Sequence, residues 1–383
     1  MSQTPSTNSG SPRDGAAPPE PAPAAQRIRI AWIASAGAIE RLSCVLQPLA
    51  IGLIDELVEL TVICPEAGDV RDLPCPPVEV IRFRELNWPL LRHRRLEELV
   101  AELAPRKVEL LHALDAAAAD IARRLARRML LPYAVTCDGL DDARALRELD
   151  DRAAALAMSV PVQRELQVHS VAPSEDIHLV RPGVYQARRA NCFNALGRSA
   201  AIIAGGTLED LPAFQTVLRG LCELRRRQGD CVFFVLGGGR AESPIRAFSE
   251  KLGLRGDLTF VDPQTVSQLP QLLKAADIYV AAAPSRRYDL NALLAMASGV
   301  PVVATANPSV DFLIPGRTAS LFRAGDPADL ADKLDAFLHD HAAARAQAES
   351  ALGYLRDNHS PARTVAWMSN LYRRTIGSPS PAR

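Results

Sequence analysis

The sequence predicts an α/β chain of two Rossmann-like domains facing each other across a cleft. Three observations carry that expectation. At 383 residues the chain exceeds one ordinary core. Short apolar runs alternate with longer amphipathic ones, the pattern of a parallel sheet covered by helices. Near Arg198 the same alternation starts afresh, with strands that end in glycine.

Residues 1–26 are rich in Ser, Pro, Ala and Gly and lack an apolar core, so a disordered tail is expected there. The first series places strands at 27–34, 57–64, 78–84, 108–114, 133–137, 155–160 and 177–180. Between the first two strands, residues 39–57 set Leu42, Val45, Leu46, Leu49 and Leu53 at helical spacing. Residues 116–130 form another helix, Ala-rich on one side, with Arg123, Arg124, Arg127 and Arg128 on the other. The cluster from Arg92 to Arg95 reads as a solvated loop.

The second series runs strand 199–204 ending in Gly205-Gly206, helix 212–227, then strand 231–236 ending in Gly237-Gly238-Gly239. It continues with helix 243–252, strand 258–261, helix 266–275 and strand 278–282. The stretch 281–304 then makes a β-loop-α-turn-β unit, the kind of strand end at which open α/β sheets bind ligands. Asp326-Pro327 opens a further helix with an oxygen acceptor at the cap and proline at the first helical position. A last helix, 361–374, carries Val365, Trp367, Met368, Leu371 and Tyr372 and is expected to dock on a domain. The divisions are therefore 1–26, 27–190, 191–358, a final helix within 359–376, and a short tail, 377–383.

Lys plus Arg equals Asp plus Glu at 44 each, which argues against a nucleic-acid partner. The seven cysteines are scattered without a CxxC pair, so neither a disulfide framework nor a metal site is expected. There is no signal peptide, and no uncharged apolar run reaches about 18 residues, so no membrane span is expected and a cytoplasmic place is.

The second half resembles the donor domain of GT-B glycosyltransferases of the family-4, or group 1, type. The resemblance rests on AAIIAGG, FVLGGGR, LGLRGDLTFVD, LKAADIYVAAAPS, AMASGVPVVA and GDPADLADKLDAFL, in order and spacing. The first half matches more loosely, through Gly37-Ala38-Ile39-Glu40, LLHALD, AVTCDG and LVRPGV. It implies the GT-B fold, a nucleotide sugar as donor, a glycan or lipid acceptor, no separate cofactor, and a last helix that crosses back to the first domain. It places donor contacts at Gly205, Gly206, Gly237, Gly239, Arg240, Val261, Arg286, Asp289, Leu290 and Asn291, and acceptor-side contacts at Gly37 and Glu40.

Such a transfer builds negative charge on a departing diphosphate, so cations or helix amides are needed at the phosphates. Carboxylates hold sugar and ribose hydroxyls. The family supplies an Arg, a Lys and two Glu; here those positions fall on Gly206, Leu211 or its neighbours, Arg286 and Leu294. Asp311 stands where a Glu is common, and the family's cleft histidine falls on Asp138. Losing one preorganised transition-state donor costs about 100- to 1,000-fold in rate, so four losses point to impaired or lost catalysis.

Arg286 and Arg240 are the obvious replacement cations; the alternative for each is a solvated loop arginine. His112, beside Asp115, is either a cleft group or a strand histidine satisfied by its surroundings. Asp138 is either a base or acceptor contact, or ordinary Asp-Gly turn chemistry. Asp289 and Asn291 are candidates for hydroxyl contacts. Glu40 is either an acceptor contact or a carboxylate that complements its helix dipole. The basic helix at 120–131 is either a contact for anionic lipid at the inner membrane face or a charged outer face. Two functions stay open: a divergent transferase, and a degenerate member acting as a binding or partner subunit.

Overall fold

A computed structural model describes residues 26–71, 73, 76–84, 89–146, 153–169, 176–194, 197–206, 208–228, 231–261, 268–282 and 286–377. Apart from Gln26 and Gly377, both expected tails lie outside the described residues.

The first sheet is built from β1 (Ile28–Ile33), α1 (Ala36–Asp55), β2 (Val58–Pro65), β3 (Glu79–Phe83), α2 (Pro89–Leu103), β4 (Leu110–Ala113), α3 (Ala119–Met129), β5 (Tyr133–Cys137), α4 (Leu140–Ala145), β6 (Ala153–Ala157), α5 (Val160–His169) and β7 (Ile177–Leu179). Its strands are parallel, in the order β3-β2-β1-β4-β5-β6-β7. The second comprises β8 (Ala200–Gly205), α6 (Leu211–Arg227), β9 (Cys231–Leu236), α7 (Glu242–Lys251), β10 (Leu258–Val261), α8 (Leu269–Lys274), β11 (Ile278–Ala281), α9 (Leu290–Ala297), β12 (Val302–Ala304) and β13 (Ala319–Leu321), followed by α10 (Pro327–His339), α11 (His341–Asn358) and α12 (Pro361–Gly377). This sheet is also parallel, in the order β10-β9-β8-β11-β12-β13.

The strand order reverses between β1 and β4, and again between β8 and β11. Each sheet therefore has a switch point at which chain leaves on opposite faces and opens a crevice at the carboxyl ends. The central strands β4, β5 and β11 are buried on both faces, as parallel strands under helices must be, and this is why they read as nearly continuous apolar runs. Loops after β5 and β11 meet across the cleft: Gly139 and Arg287 form an antiparallel bridge, and Tyr288 N donates to the Asp138 carbonyl at 2.5 Å.

Helix starts follow their caps. The Ser35 hydroxyl accepts from Ala38 N on α1, and Asp326 from Ala328 and Asp329 on α10, where Pro327 needs no donor. The last helix does return to the first sheet. Tyr372 of α12 is fully buried; its hydroxyl accepts from Trp32 Nε1 at 2.9 Å and bonds His112 Nδ1 at 2.7 Å.

Several local expectations change. The strand expected at 155–160 ends at Ala157, because the Ser159 hydroxyl caps the next helix by accepting from Val162 N at 3.4 Å. Arg94 and Arg95 lie in α2, not a loop. Of the helix expected at 266–275, positions 266 and 267 lie outside the described residues and α8 covers the rest from Leu269. The helix α1 is long and apolar enough to cross a membrane by length and composition, yet its Leu42, Leu46 and Leu53 pack into the core.

Candidate functional site

The first domain's wall of the cleft centres on Asp138, at the carboxyl end of β5. Its carboxylate is buried and takes Arg41 Nη2 from α1 at 3.0 Å. From the other domain, Arg287 Nη1 approaches it to 3.6 Å. Asp142, one helical turn further on, lies within hydrogen-bonding reach of Asp138 and receives Arg287 Nη2 at 3.3 Å. Two carboxylates this close share their cations unequally. Burial raises Asp142, the hydrogen bond and charge of Asp138 add to it, and the carboxyl is pushed up to about 7. Burial also opposes ionisation of Asp138, but the hydrogen bond from Asp142 and the charges of Arg41 and Arg287 outweigh it, so its pKa is lowered. Just below neutral pH the pair thus shares one proton, which it gives up as pH rises through about 7.

His112 belongs to the core rather than the cleft surface. Its Nε2 meets Thr136 Oγ1 at 2.8 Å while Nδ1 holds Tyr372, and burial drives its pKa down to about 3. Both ring nitrogens are engaged, so the neutral ring is a brace between β4, β5 and α12. Gly37 sits in the first turn of α1, one turn before Arg41, and Glu40 is exposed on the same helix.

The second domain's wall is made of glycine-rich strand ends. Gly205 and Gly206 close β8, and Gly237 to Gly239 follow β9. Gly237 has φ +128°, and a Cβ there would run into the Gly206 carbonyl oxygen, so the two loops press backbone to backbone. Leu208 N donates to the Gly238 carbonyl at 3.2 Å, and Gly237 N to the Val261 carbonyl at 3.2 Å. These bonds account for the glycine run and for Val261 by loop packing. Arg240 is almost wholly exposed and pairs with Glu209, Nε to Oε2 at 2.9 Å. Arg286 reaches across the cleft to Asp141, with Nε at 2.8 and 3.0 Å from the two carboxylate oxygens.

Asp289 is the residue whose place changes its meaning most. Its carboxylate caps α9 by accepting from Ala292 N at 3.0 Å. It is partly buried, and the desolvation that it suffers there outweighs the backbone bonds from Ala292 and Asn291 and lifts its pKa to about 6. Leu290 and Asn291 form the first turn that it caps. At the neighbouring helix, Asp210 caps α6 in the same way through Ala213 N at 3.0 Å. The amino ends of α6 and α9 thus each carry their own anion.

With that geometry in hand, residues 200–340 match the family model of the group 1 glycosyl transferases. The chain has a GT-B fold, and its second domain is a group 1 glycosyltransferase domain. The D-inositol 3-phosphate glycosyltransferase of Nocardia farcinica is 31% identical over 182 residues, 45% of this chain and 40% of that protein. The protein of the same name from Corynebacterium glutamicum is 26% identical over 251 residues, 61% of this chain and 60% of its own. The chain thus spans about half the length of these relatives. Among solved structures, HepE of Anabaena in complex with UDP and glucose superposes with TM-score 0.74 at 14% identity, over 91% of this chain and 100% of that one. Sucrose-phosphate synthase of Thermosynechococcus elongatus gives 0.76 at 17%, over 92% and 100%.

Within the group 1 domain, Leu294 is buried in α9 and offers no acceptor. Asp311 faces the first domain, where it takes Arg181 Nη2 at 2.5 Å and Val160 N, at the start of α5, at 3.3 Å. Asp142, Arg41 and Arg181 are site residues that sequence reasoning missed. Asp142 was within sight, four residues after Asp138 on the short helix α4 that follows it. Arg41 and Arg181 had no local signal, because their partners lie 97 and 130 residues away. Of the basic helix α3, Arg123 and Arg124 are paired with Asp120, and Arg128 with Glu97 of α2. Its charged face is largely satisfied within the fold. Among the described residues, no group of three or more His, Cys, Asp or Glu is placed to hold a metal ion.

Proposed function

We propose that this chain is a group 1 glycosyltransferase-like protein that has lost ordinary transfer from a nucleotide diphosphate sugar and works as a GT-B binding or partner subunit. One observation carries the reading: a carboxylate, Asp289, occupies the amino end of α9, where a departing diphosphate needs positive potential. Asp210 does the same at α6, and the family's cation positions hold Gly206 and Leu211. Arg286 and Arg240, the obvious substitutes, are engaged by Asp141 and Glu209.

A thermal-shift screen with UDP, GDP and ADP and their sugars at millimolar concentration tests this. A nucleotide at 100 times its dissociation constant adds about 2.7 kcal/mol of stability. No shift is expected with any of them, and a clear shift with one would overturn the reading.

The second reading is a divergent transferase, favoured by the carboxylate pair Asp138 and Asp142, which keeps a group poised near neutrality in the cleft. It takes a nucleotide sugar and transfers to a glycan or lipid acceptor, with Gly37 and Glu40 on the acceptor side. Sugar transfer by the purified chain, lost in Asp138→Asn, would support it.

A further inference from the structure

We propose that Arg286 and Arg287 form an ionic latch that holds the interdomain cleft shut, and that any ligand entering the cleft must first release it. The latch has a backbone part and a charged part. The backbone part is the Gly139–Arg287 bridge, reinforced by Leu140 N donating to the Arg286 carbonyl at 3.1 Å and Tyr288 N to the Asp138 carbonyl. Asn307 Nδ2 holds the Arg287 carbonyl at 3.1 Å from the second domain's side. Gly139 permits the approach: a Cβ there would stand 2.6 Å from the Arg286 carbonyl oxygen.

The charged part joins two cations of one domain to three carboxylates of the other. Arg286 takes Asp141, which Arg144 also approaches at 3.8 Å; Arg287 takes Asp138 and Asp142, which Arg41 balances from α1. Isolated exposed pairs are worth little. The three contacts that cross between the domains share a bridged backbone, and the Asp138 end of the network is buried, which raises their worth. Domains in one chain move against each other unless the interface is large and apolar, so a polar clasp at the mouth shifts the closed fraction, beside the Arg181–Asp311 pair and the Ser159 bond to the Ser309 carbonyl deeper in the seam. Both guanidinium groups remain about half exposed, at 47%, and are therefore open to screening by salt.

The latch stands whether or not a nucleotide binds, and its test uses no nucleotide. Small-angle X-ray scattering on the full chain is recorded at 0.05 M and 1 M NaCl, as orders of magnitude bracketing the screening range. The wild type is expected compact in low salt, with a radius of gyration that grows with salt. The double variant Arg286→Ala, Arg287→Ala is expected more open in low salt, with the closed-to-open ratio down about tenfold and a smaller salt response, the remainder belonging to Arg181–Asp311. Asp141→Arg, which sets like charges face to face, should also open the cleft, and adding Arg286→Asp should close it again. Gly139→Ala separates the backbone part from the charges and is expected to open the cleft with every charge in place. Circular dichroism confirms that each variant is folded. Equal radii for wild type and folded double variant at both salts, or failure of the charge swap to restore closure, would overturn the latch.

Discussion

Replacing Asp142 with Asn fixes that side chain in the form it holds in the folded protein below neutrality. Its carboxyl is raised to about 7 in the fold, against about 3.9 when unfolded. Below pH about 4 both states are protonated and the group is neutral in its effect. Between about 4 and 7 the unfolded chain gives up the proton while the folded one keeps it, so stability falls as pH rises and levels off above the folded pKa. Three pK units correspond to roughly 4 kcal/mol. Asp142 lies at the cleft rim beside Arg287, where solvent screens part of this, and about 2 kcal/mol is the expected loss by pH 8. Asn carries no such loss and can still donate to Asp138. The assay is thermal or urea unfolding of both proteins at pH 4, 6 and 8. Near-equal stability at pH 4 and a gain for Asp142→Asn that widens to about 2 kcal/mol at pH 8 are expected. A gain that does not change with pH, or a variant less stable than wild type at pH 8, would refute the assigned proton.

Asp138 gives the opposite sign. Its pKa is lowered in the fold, so its contribution is present above about pH 4 and lost as pH falls through the folded value. Asp138→Asn leaves Arg41 short of its partner in a buried network and should cost about 3 kcal/mol at pH 7, shrinking in acid, by the same unfolding assay. Tyr372→Phe strips Trp32 Nε1 and His112 Nδ1 of a buried partner and should cost about 2 to 4 kcal/mol, read by urea unfolding. Gly237→Ala forces a side chain into positive φ against the Gly206 carbonyl and should cost more than about 1 kcal/mol, whereas Gly238→Ala, with open space around its Cβ, should be mild.

The fold was legible because parallel strands buried on both faces leave a plain trace. VIC in β2 and IYVA in β11 are unbroken apolar runs, and glycines mark the cleft-facing ends of β8 and β9. β13 left no such trace, being three residues at a sheet edge, and α11 is Ala-rich with a weak apolar stripe, so neither was foreseen. The site was legible by position but not by partner. Arg286 reads as a free loop cation in sequence because Asp141 is 145 residues away. Asp289 carries a local clue in the sequence: an aspartate three residues before Ala292, at the start of an apolar run, is a helix cap by ordinary chemistry. Reading it as a sugar contact gave weight to the family position over the helix it begins.

Calorimetric titration of UDP, GDP and ADP tests the central claim most directly, run on the wild type and on a variant carrying Gly206→Arg, Leu211→Lys and Asp289→Gly. Gly206 has ordinary contact room around a built Cβ but a φ of +158°, so circular dichroism must first show that the variant is folded. The account predicts no binding heat for the wild type and measurable binding of at least one nucleotide by the variant. Micromolar binding of any of the three nucleotides by the wild type would contradict it.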